Sequence, residues 1–234
     1  MQLTDTHTHL YSEEFKDDLD IVMRRAHEAG VDKFYLPAID NTTHEAMLYV
    51  EKKYPECIAM MGLHPCSVKE NFEEELNIIR SYLDKRNFIA IGEIGLDFYW
   101  DKTFVKEQYE SLTIQAGWAL QYDIPLVLHT RNAMQETIDV IKTYNGQGLK
   151  GIFHCFGGTL QNANDIIAQN FYLGIGGVVT YKNSGLAEIV KDIDLKHIVL
   201  ETAAPYLTPV PYRGKRNESS YLIYIAQKIA EIKN

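Results

Sequence analysis

FIAIGEI at residues 88–94 and IPLVLH at residues 124–129 are two apolar, β-rich runs of strand length. Between them, Leu112, Ala116 and Leu120 recur at the spacing of one helix face. A strand, a helix and a second strand in this order predict two parallel strands joined by a crossover helix. The fold therefore depends on how often this unit repeats along the chain.

The same alternation of strand and helix continues in both directions. Further runs of strand length, the first of them weak, lie at 2–7, 31–38, 57–63, 149–154, 171–177 and 197–202. About eight strand–helix units in 234 residues predict an α/β fold, a single (β/α)8 TIM barrel that spans residues 1–234. The alternative is an open doubly wound sheet. That fold would more naturally carry a glycine-rich phosphate loop after its first strand, where this chain has DTHTHL.

Composition excludes several classes of protein. The 46% hydrophobic content excludes a disordered chain, and the lack of a long uncharged apolar run argues against a membrane protein. The first residues, MQLTDTHTHL, lack the basic and apolar regions of a secretory signal. Three cysteines without CxxC spacing suit a reducing compartment. We therefore expect a cytoplasmic monomer with no membrane contact and no obligate protein partner.

The chain is acidic, with 23 basic and 32 acidic residues and a net charge of −9. A negative overall field opposes strong non-specific adhesion to DNA or RNA, which depends on basic patches. It leaves open a nucleic-acid substrate that is held by a local positive site or by metal ions. Charge therefore argues against a tight nucleic-acid binder but not against a hydrolase.

Most of the histidines lie where a barrel carries its chemistry. Active sites of TIM barrels form at the C-terminal ends of the strands. Five of the eight histidines fall at predicted strand ends of this polarity, and so do three acidic residues. These residues are His7, His9, His64, His129, His154, Glu93 with Asp97 just beyond it, and Glu201. This segregation is the strongest indication of function in the sequence.

Two pairs of histidines favour two metal sites. His7 and His9, two residues apart on one strand, project to the same side and can hold one ion. His129 and His154 end neighbouring strands and converge on the same rim, which favours a second ion. Glu93 lies among apolar residues and glycines, and we expect it to bridge two cations ~3.5–4 Å apart. The structural alternative for His7 and His9 is two polar residues at a frayed N-terminal strand. For His129 and His154 it is core histidines bonded to backbone carbonyls, and for Glu93 a buried glutamate paired with an arginine or lysine.

Several side chains near the same rim suit an anionic substrate. His64 precedes a proline and has no neighbour at metal-ligand spacing, so we expect it to contact the substrate. Arg131 follows the fifth strand and can bind phosphate. The run PYRGKRNE contributes Arg213, Lys215 and Arg216 just past the eighth strand. The alternative for this run is a solvated basic loop.

The cysteines are expected to be structural. Cys57 and Cys66 lie near the two ends of the third strand. Cys155 follows a candidate metal ligand, and thiolate ligation by it is conceivable. Because adjacent strand residues face opposite ways, Cys155 should point away from the site if His154 points in.

Six motifs, in chain order, resemble those of one known family. They are DTHTHL, GLHP, GEIGLDFYW, LVLHTR, GIFHCFGG and ETAAPYLTPVPYRGKRNE. In this order they resemble the TatD-family metal-dependent deoxyribonucleases over nearly the whole chain. The resemblance implies a TIM barrel and a divalent-metal phosphodiesterase, often a 3′-to-5′ exonuclease on DNA, with some relatives acting at abasic sites.

The resemblance also implies residue roles. It implies two divalent ions (Mg, Mn or Zn), the first held by His7 and His9 and the second by His129 and His154. Glu93 would bridge the two ions. Glu201 becomes an additional acidic group at the rim. His64 and the residues from Tyr212 to Arg216 would approach the scissile phosphate.

One position departs from the family pattern. The pattern after strand eight is Glu-Thr-Asp-Ala-Pro, and this chain has Ala203 in place of the aspartate. In the family, that aspartate ligates the first metal and helps to position or deprotonate the nucleophilic water. Ala203 has three explanations: a deliberate inactivating substitution, a natural loss of activity, or a site that works with altered metal occupancy. We therefore expect impaired activity.

Three functions compete at this point. The first is a metal-dependent phosphodiester hydrolase that acts on DNA, with RNA as an alternative substrate. The second keeps the fold and the metals but hydrolyses an amide, ester or lactone of a small molecule. The third is a non-catalytic protein that binds metal or anions, for which Ala203 is the only support.

Overall fold

Eight parallel strands and eight α-helices alternate through residues 2–234, the part of the chain that this computed structural model describes. The strands are β1 Leu3–Asp5, β2 Val31–Pro37, β3 Cys57–Met60, β4 Ile91–Asp97, β5 Leu126–Arg131, β6 Gly151–Phe153, β7 Phe171–Ile175 and β8 Ile198–Leu200. The helices are α1 Leu19–Glu28, α2 Asn41–Lys53, α3 Phe72–Leu83, α4 Val105–Tyr122, α5 Met134–Lys142, α6 Leu160–Ala168, α7 Leu186–Asp192 and α8 Leu222–Lys233. The predicted (β/α)8 barrel is confirmed.

Backbone hydrogen bonds join the strands into a closed barrel. β1, β2 and β3 pair in parallel, and β4 to β8 pair in parallel in chain order. Just after β3, Met61 pairs with Ile91 of β4, and the amide of Gly92 donates to the carbonyl of Met61 at 3.0 Å. The two runs of strands therefore meet on this side.

The first and last strands meet on the other side, at a contact that we term the seam. Thr8 pairs with Ala204 in parallel. The amide of Ala203 donates to the carbonyl of His7 at 2.9 Å, and the amide of His9 donates to the carbonyl of Ala204 at 2.8 Å. The seam thus fixes the backbone of the first predicted ligand pair.

β4 (Ile91–Asp97) ends three residues later than the predicted run 88–94, and all of its residues are buried. Gly95 allows this extension, because it has a φ of 139° and a Cβ there would lie 2.1 Å from the carbonyl oxygen of His129. β4 and β5 therefore approach closely. Asp97, expected just beyond the strand, is its last residue.

Apolar side chains fill the space between the strands and the helices. The predicted positions Leu112 and Ala116 of α4 are buried, as are Leu222 and Ile225 of α8. They belong to one continuous core that holds the strands at fixed positions. Within residues 2–234, no helix combines the length and the hydrophobicity that a membrane span requires.

Candidate metal centre

The C-terminal ends of the strands surround a cavity of about 540 Å³. This is the end of the barrel at which TIM-barrel enzymes carry their catalytic groups. The predicted site residues that line it are His9, His64, Glu93, His129, Arg131, His154 and Ala203. His7 is fully buried beside them, with its Nε2 3.3 Å from Nε2 of His9.

Glu93 lies between two groups of histidines and is only 2% exposed. Its Oε2 lies 3.1 Å from Nε2 of His7 and 3.6 Å from Nε2 of His9. Its Oε1 lies 2.9 Å from Nδ1 of His129 and 3.9 Å from Nε2 of His154. The two oxygens of one carboxylate therefore face the two predicted histidine pairs.

The first group, His7, His9 and Glu93, has the spacing of cation ligands. Its three contacts of 3.1, 3.3 and 3.6 Å are close to the ~3.3–3.4 Å that separates ligand atoms around a tetrahedral ion with bonds of ~2.0–2.1 Å. The hydroxyl of Tyr11 donates to the carbonyl of Pro37, so its oxygen accepts the proton of His9 Nδ1 at 2.9 Å. The lone pair of His9 Nε2 therefore faces the Glu93 carboxylate, and a cation between them would satisfy both groups.

Carboxylates flank both rings of the second predicted pair, His129 and His154, and the His154 ring also stacks on His7 with ring centres 3.4 Å apart. His129 lies between two carboxylates, with Nδ1 2.9 Å from Glu93 Oε1 and Nε2 2.8 Å from Asp97 Oδ2. His154 has Nε2 towards Glu93 and Nδ1 2.9 Å from Oε1 of Glu201. In both cases a second carboxylate lies at the ring nitrogen remote from Glu93. Metal-bound histidines have this arrangement, because the outer carboxylate fixes the tautomer and the orientation of the ring.

His64 belongs to the same cluster but presents a proton to it. Its Nε2 lies 3.3 Å from Glu93 Oε1, a proximity that sequence spacing could not indicate because the two residues lie far apart in the sequence. Its Nδ1 accepts a hydrogen bond from the amide of Cys66 at 3.0 Å, so the proton resides on Nε2. His64 therefore suits the predicted contact with an anion better than it suits a cation.

Burial and neighbouring charges set the protonation states. Burial disfavours the charged form of Glu93, but the surrounding histidines outweigh it and hold the pKa of this carboxyl well below its usual value. Burial, together with the nearby ring of His154, lowers the pKa of His7 well below 6.5. Burial also opposes a charge on His129, but the hydrogen bonds that its ring donates to Asp97 and Glu93 raise its pKa to about 9. Glu93 is therefore ionised and His7 neutral, as ligation requires, whereas His129 would have to release a proton to bind a cation.

The predicted basic run lies outside the cavity. Tyr212, Lys215 and Arg216 line a separate groove between α1 and α8. Arg216 forms a two-point ion pair with Asp18, with contacts of 2.8 and 2.7 Å. Arg213 is exposed and lies 4.3 Å from the centre of a tyrosine ring. Of the predicted phosphate-binding cations, Arg131 lines the cavity.

Comparison with known proteins identifies the family to which this chain belongs. Residues 4–234 match the family model described as TatD related DNase. The chain belongs to the TatD family. The family resemblance expected from the motifs is thereby confirmed, and the protein is a member of a family of metal-dependent hydrolases.

Three relatives of this TatD-family chain are informative. The uncharacterized metal-dependent hydrolase YabD of Bacillus subtilis is 37% identical over 232 residues, which cover 99% of this chain and 91% of YabD. The 3′-5′ ssDNA/RNA exonuclease TatD of Erwinia tasmaniensis is 29% identical over 233 residues, which cover 97% of this chain and 90% of that protein. The crystal structure of YjjV, a TatD homologue from Escherichia coli, superposes with a TM-score of 0.93 at 27% identity. It covers 98% of this chain and 90% of YjjV.

In this TatD-family chain, position 203 lies beside the first ligand group. Ala203 lines the cavity, is 5% exposed and donates its amide to the carbonyl of His7. Its φ of 57° is in the left-handed region, which aspartate and asparagine adopt more readily than most other residues. Just before it, the hydroxyl of Thr202 donates to the Asp5 carboxylate at 2.6 Å and holds this turn in place. The backbone at this position is therefore compatible with the family aspartate.

The structure corrects the predicted positions of Cys155 and Glu201. Cys155 has a φ of 48°, so it does not continue the alternation of β6 and lies in the cavity wall rather than away from it. Its amide donates to Oε1 of Glu201 at 2.6 Å. Glu201 is fully buried beneath His154 instead of standing at the rim. Gly174 leaves the room for it, since a Cβ there would lie 2.3 Å from Oε2 of Glu201.

Sequence reasoning missed Tyr11 and gave no role to Asp97, the two residues that position candidate ligands. Tyr11 fixes the tautomer of His9, and its place two residues further along the same segment was the available signal. Asp97 lies four residues after Glu93 on the same strand, a spacing that puts both side chains on one face. The sequence contained both signals, but neither residue could be assigned a partner without the structure.

Proposed function

We propose that this protein hydrolyses phosphodiester bonds of single-stranded DNA or RNA from the 3′ end, using two divalent cations. The observation that supports this most strongly is the position of Glu93, whose Oε2 lies nearest to His7 and His9 and whose Oε1 lies nearest to His129. A carboxylate between two such groups suits a two-metal centre, in which both the attacking and the leaving oxygen are stabilised.

The chain would hold the two cations with ligands from several strands. His7 and His9 would hold the first and His129 and His154 the second, with Glu93 shared between them. When bound, divalent cations of this kind supply Lewis acidity and lower the pKa of a water molecule to ~7.

The remaining residues orient ligands and substrate. Asp97 and Glu201 lie on the outer nitrogens of His129 and His154 and keep the inner nitrogens directed at Glu93. The Nε2 proton of His64, which now faces Glu93, is available to a phosphoryl oxygen or to the leaving oxygen.

Two further observations support a nucleic-acid substrate. One relative of similar length is named a 3′-5′ ssDNA/RNA exonuclease. Arg131 places an exposed guanidinium in the wall of the cavity, and this group matches the geometry of phosphate oxygens. In a chain with a net charge of −9, a local cation at the cavity provides the attraction that the overall field does not.

We propose further that Ala203 reduces the rate without preventing ligand assembly. Its side chain lines the cavity, where a carboxylate could reach the first cation or a water molecule, and a methyl group can do neither. The remaining ligands do not depend on this side chain, because the bonds of residue 203 across the seam are made by its backbone.

The decisive experiment compares substrates on the metal-loaded protein. The chain and its Glu93→Gln variant are incubated with Mg²⁺, Mn²⁺ or Zn²⁺ and with end-labelled single-stranded DNA, RNA and duplex DNA. A parallel panel contains lactones and acylated amino acids. We expect metal-dependent shortening of single strands from the 3′ end, which is lost in Glu93→Gln. Turnover of a lactone or an amide with no cleavage of oligonucleotides, even when aspartate is restored at position 203, would overturn the proposal.

A further inference from the structure

Two large aromatic side chains stand exposed at the mouth of the metal cavity. Trp100 is 67% exposed and lines the cavity, and its neighbour Tyr99 is 51% exposed. Their ring centres are 4.9 Å apart and their planes are nearly perpendicular, at 86°. We term this pair the aromatic shelf. Tyrosine and tryptophan are enriched at binding surfaces, and the position of this shelf beside a polar cavity makes it a candidate ligand site.

The aromatic shelf is tied to the metal centre by Asp97. One carboxylate oxygen of Asp97 accepts the amides of Tyr99 at 2.9 Å and of Trp100 at 3.0 Å. The other oxygen lies 2.8 Å from Nε2 of His129. One buried side chain therefore fixes both the backbone of the shelf and a metal ligand, and a group bound on the shelf is held at a constant position relative to Glu93.

A cation borders the aromatic shelf on the cavity side. The guanidinium of Arg131 lies 4.0 Å from the ring centre of Tyr99 and 5.0 Å from that of Trp100. Arg131 and Trp100 both line the cavity. The surface between the shelf and the metal centre thus offers an aromatic face next to a positive charge. A nucleotide has the complementary pair of groups, a flat base and a phosphate.

We propose that the aromatic shelf binds an unpaired nucleobase, which stacks on the indole of Trp100 while Arg131 contacts the adjacent phosphate. This inference rests on the proposed function and specifies the unpaired base as the part of the substrate that the site recognises. Every base has a stacking face, so the shelf selects single strands without selecting a sequence. Bases in a duplex stack on their neighbours and do not present a free face to the protein.

The chain offers a direct probe of this contact. Its tryptophans are Trp100 and Trp118, so a Trp118→Phe variant retains Trp100 as the single indole. This variant is titrated in Mg²⁺ with a phosphorothioate-linked oligo-dT, with a matched oligomer of abasic nucleotides and with a hairpin duplex. We expect quenching of Trp100 fluorescence by oligo-dT and little change with the other two.

Affinity measurements identify the stacking side chain. In the full-length chain, Trp100→Ala is expected to weaken oligo-dT binding by about 5- to 150-fold, which corresponds to the stacking of one base. Binding of the abasic oligomer should remain within about 2-fold, and Trp100→Phe should restore most of the affinity for oligo-dT. The matched control is Tyr49→Ala, since Tyr49 lies on α2, is 63% exposed and does not line the cavity. Circular dichroism establishes that each variant is folded.

The outcomes separate this inference from the proposed function. Equal binding of base-bearing and abasic oligomers, or an unchanged affinity in Trp100→Ala, overturns the aromatic shelf even if the metal-loaded protein cleaves DNA. Base-dependent quenching without cleavage of any oligonucleotide, even by the Ala203→Asp variant, supports the shelf and overturns the proposed hydrolysis. Absence of both binding and cleavage overturns both.

Discussion

Tyr11 holds His9 in the tautomer that a cation requires. The tyrosine hydroxyl donates to the carbonyl of Pro37, and its oxygen lies 2.9 Å from Nδ1 of His9. The proton of His9 is therefore on Nδ1, and Nε2 offers a lone pair to the space that it shares with His7 and Glu93. A residue outside the ligand set thus decides whether His9 can act as a ligand.

Removal of this hydroxyl should weaken metal binding. Tyr11→Phe leaves the ring in place but frees His9 to place its proton on Nε2. We expect metal affinity to fall about 10- to 100-fold, the usual effect of losing an outer hydrogen bond to a ligand. Titration calorimetry with Mn²⁺ or Zn²⁺ measures the change, and Tyr49→Phe on the surface is the control. An affinity equal to that of the parent would contradict the assigned tautomer.

His64 and His9 should respond differently to substitution. His64 presents a proton, so His64→Ala should leave metal affinity within about 2-fold and lower kcat by about 10- to 150-fold through loss of a hydrogen bond to a charged group. His9→Ala should reduce metal affinity itself. The two readouts are calorimetry and steady-state cleavage of single-stranded DNA. A large loss of metal affinity in His64→Ala would show that His64 is a ligand.

Restoring a carboxylate at position 203 should raise the rate. Ala203→Asp places an acid in the cavity wall, and we expect kcat to increase by about 10²–10⁴-fold if that acid positions or deprotonates water. Because φ is 57° at this residue, the substitution should not lower Tm. Ala203→Asn is the matched control, with the same shape and no charge. If neither metal affinity nor kcat rises in Ala203→Asp, the role assigned to this position is wrong.

Arg131 and Arg216 should separate substrate binding from stability. Arg131 lines the cavity, so Arg131→Ala should raise KM for single-stranded DNA by about 10- to 150-fold, the value of a charge-assisted hydrogen bond. Arg216 is paired with Asp18 in a half-exposed contact. Arg216→Ala should leave KM unchanged and lower the free energy of unfolding by about 0–1 kcal/mol. A raised KM in Arg216→Ala together with an unchanged KM in Arg131→Ala would show that the basic run contacts the substrate.

His44 should make the protein sensitive to acid. This residue of α2 is buried, neither ring nitrogen has a hydrogen-bond partner in the described chain, and burial lowers its pKa from 6.5 to about 4 against the opposing charge of Asp40. The unfolded chain therefore takes up a proton at a higher pH than the folded chain, and stability is lost as the pH falls from about 6.5 to 4. The contribution is about 2–3 kcal/mol.

Urea unfolding at pH 7, 5 and 4 tests this assignment. His44→Leu should remove about 2–3 kcal/mol of the decline in unfolding free energy. His197→Gln, at a half-buried position outside the strands, should keep the decline of the parent chain. Parallel curves for His44→Leu and the parent would show that His44 is not responsible.

Much of the fold and of the ligand set could be predicted because both depend on position along a strand. Apolar runs of strand length, separated by segments with helical spacing, indicate the eight strands. In a parallel barrel the C-terminal ends of the strands meet at one face. His7, Glu93 and His129 are therefore neighbours in space, whatever the detail of the loops. The end of β4 at Asp97, three residues beyond the predicted run, could not be predicted, because it depends on a close approach that Gly95 permits.

The loops account for what the sequence could not predict. Alternation along a strand fails at Cys155, where the backbone turns into the left-handed region and brings the thiol to the cavity wall. The basic run after β8 is rich in phosphate-binding side chains, yet Arg216 turns to Asp18 near the N-terminus of α1. The orientation of such side chains depends on partners far away in the chain, and a local sequence pattern does not indicate those partners.

The seam determines the order in which the parts of the candidate cation site can assemble. A ribosome delivers His7 and His9 first, but their backbone is held by residues 203 and 204, which are made almost last. Until the final strand docks, the two imidazoles lack the scaffold that aligns them with Glu93. We therefore expect metal loading to follow the docking of the eighth strand, and a chain interrupted before that strand to carry the candidate ligands without the aligned site.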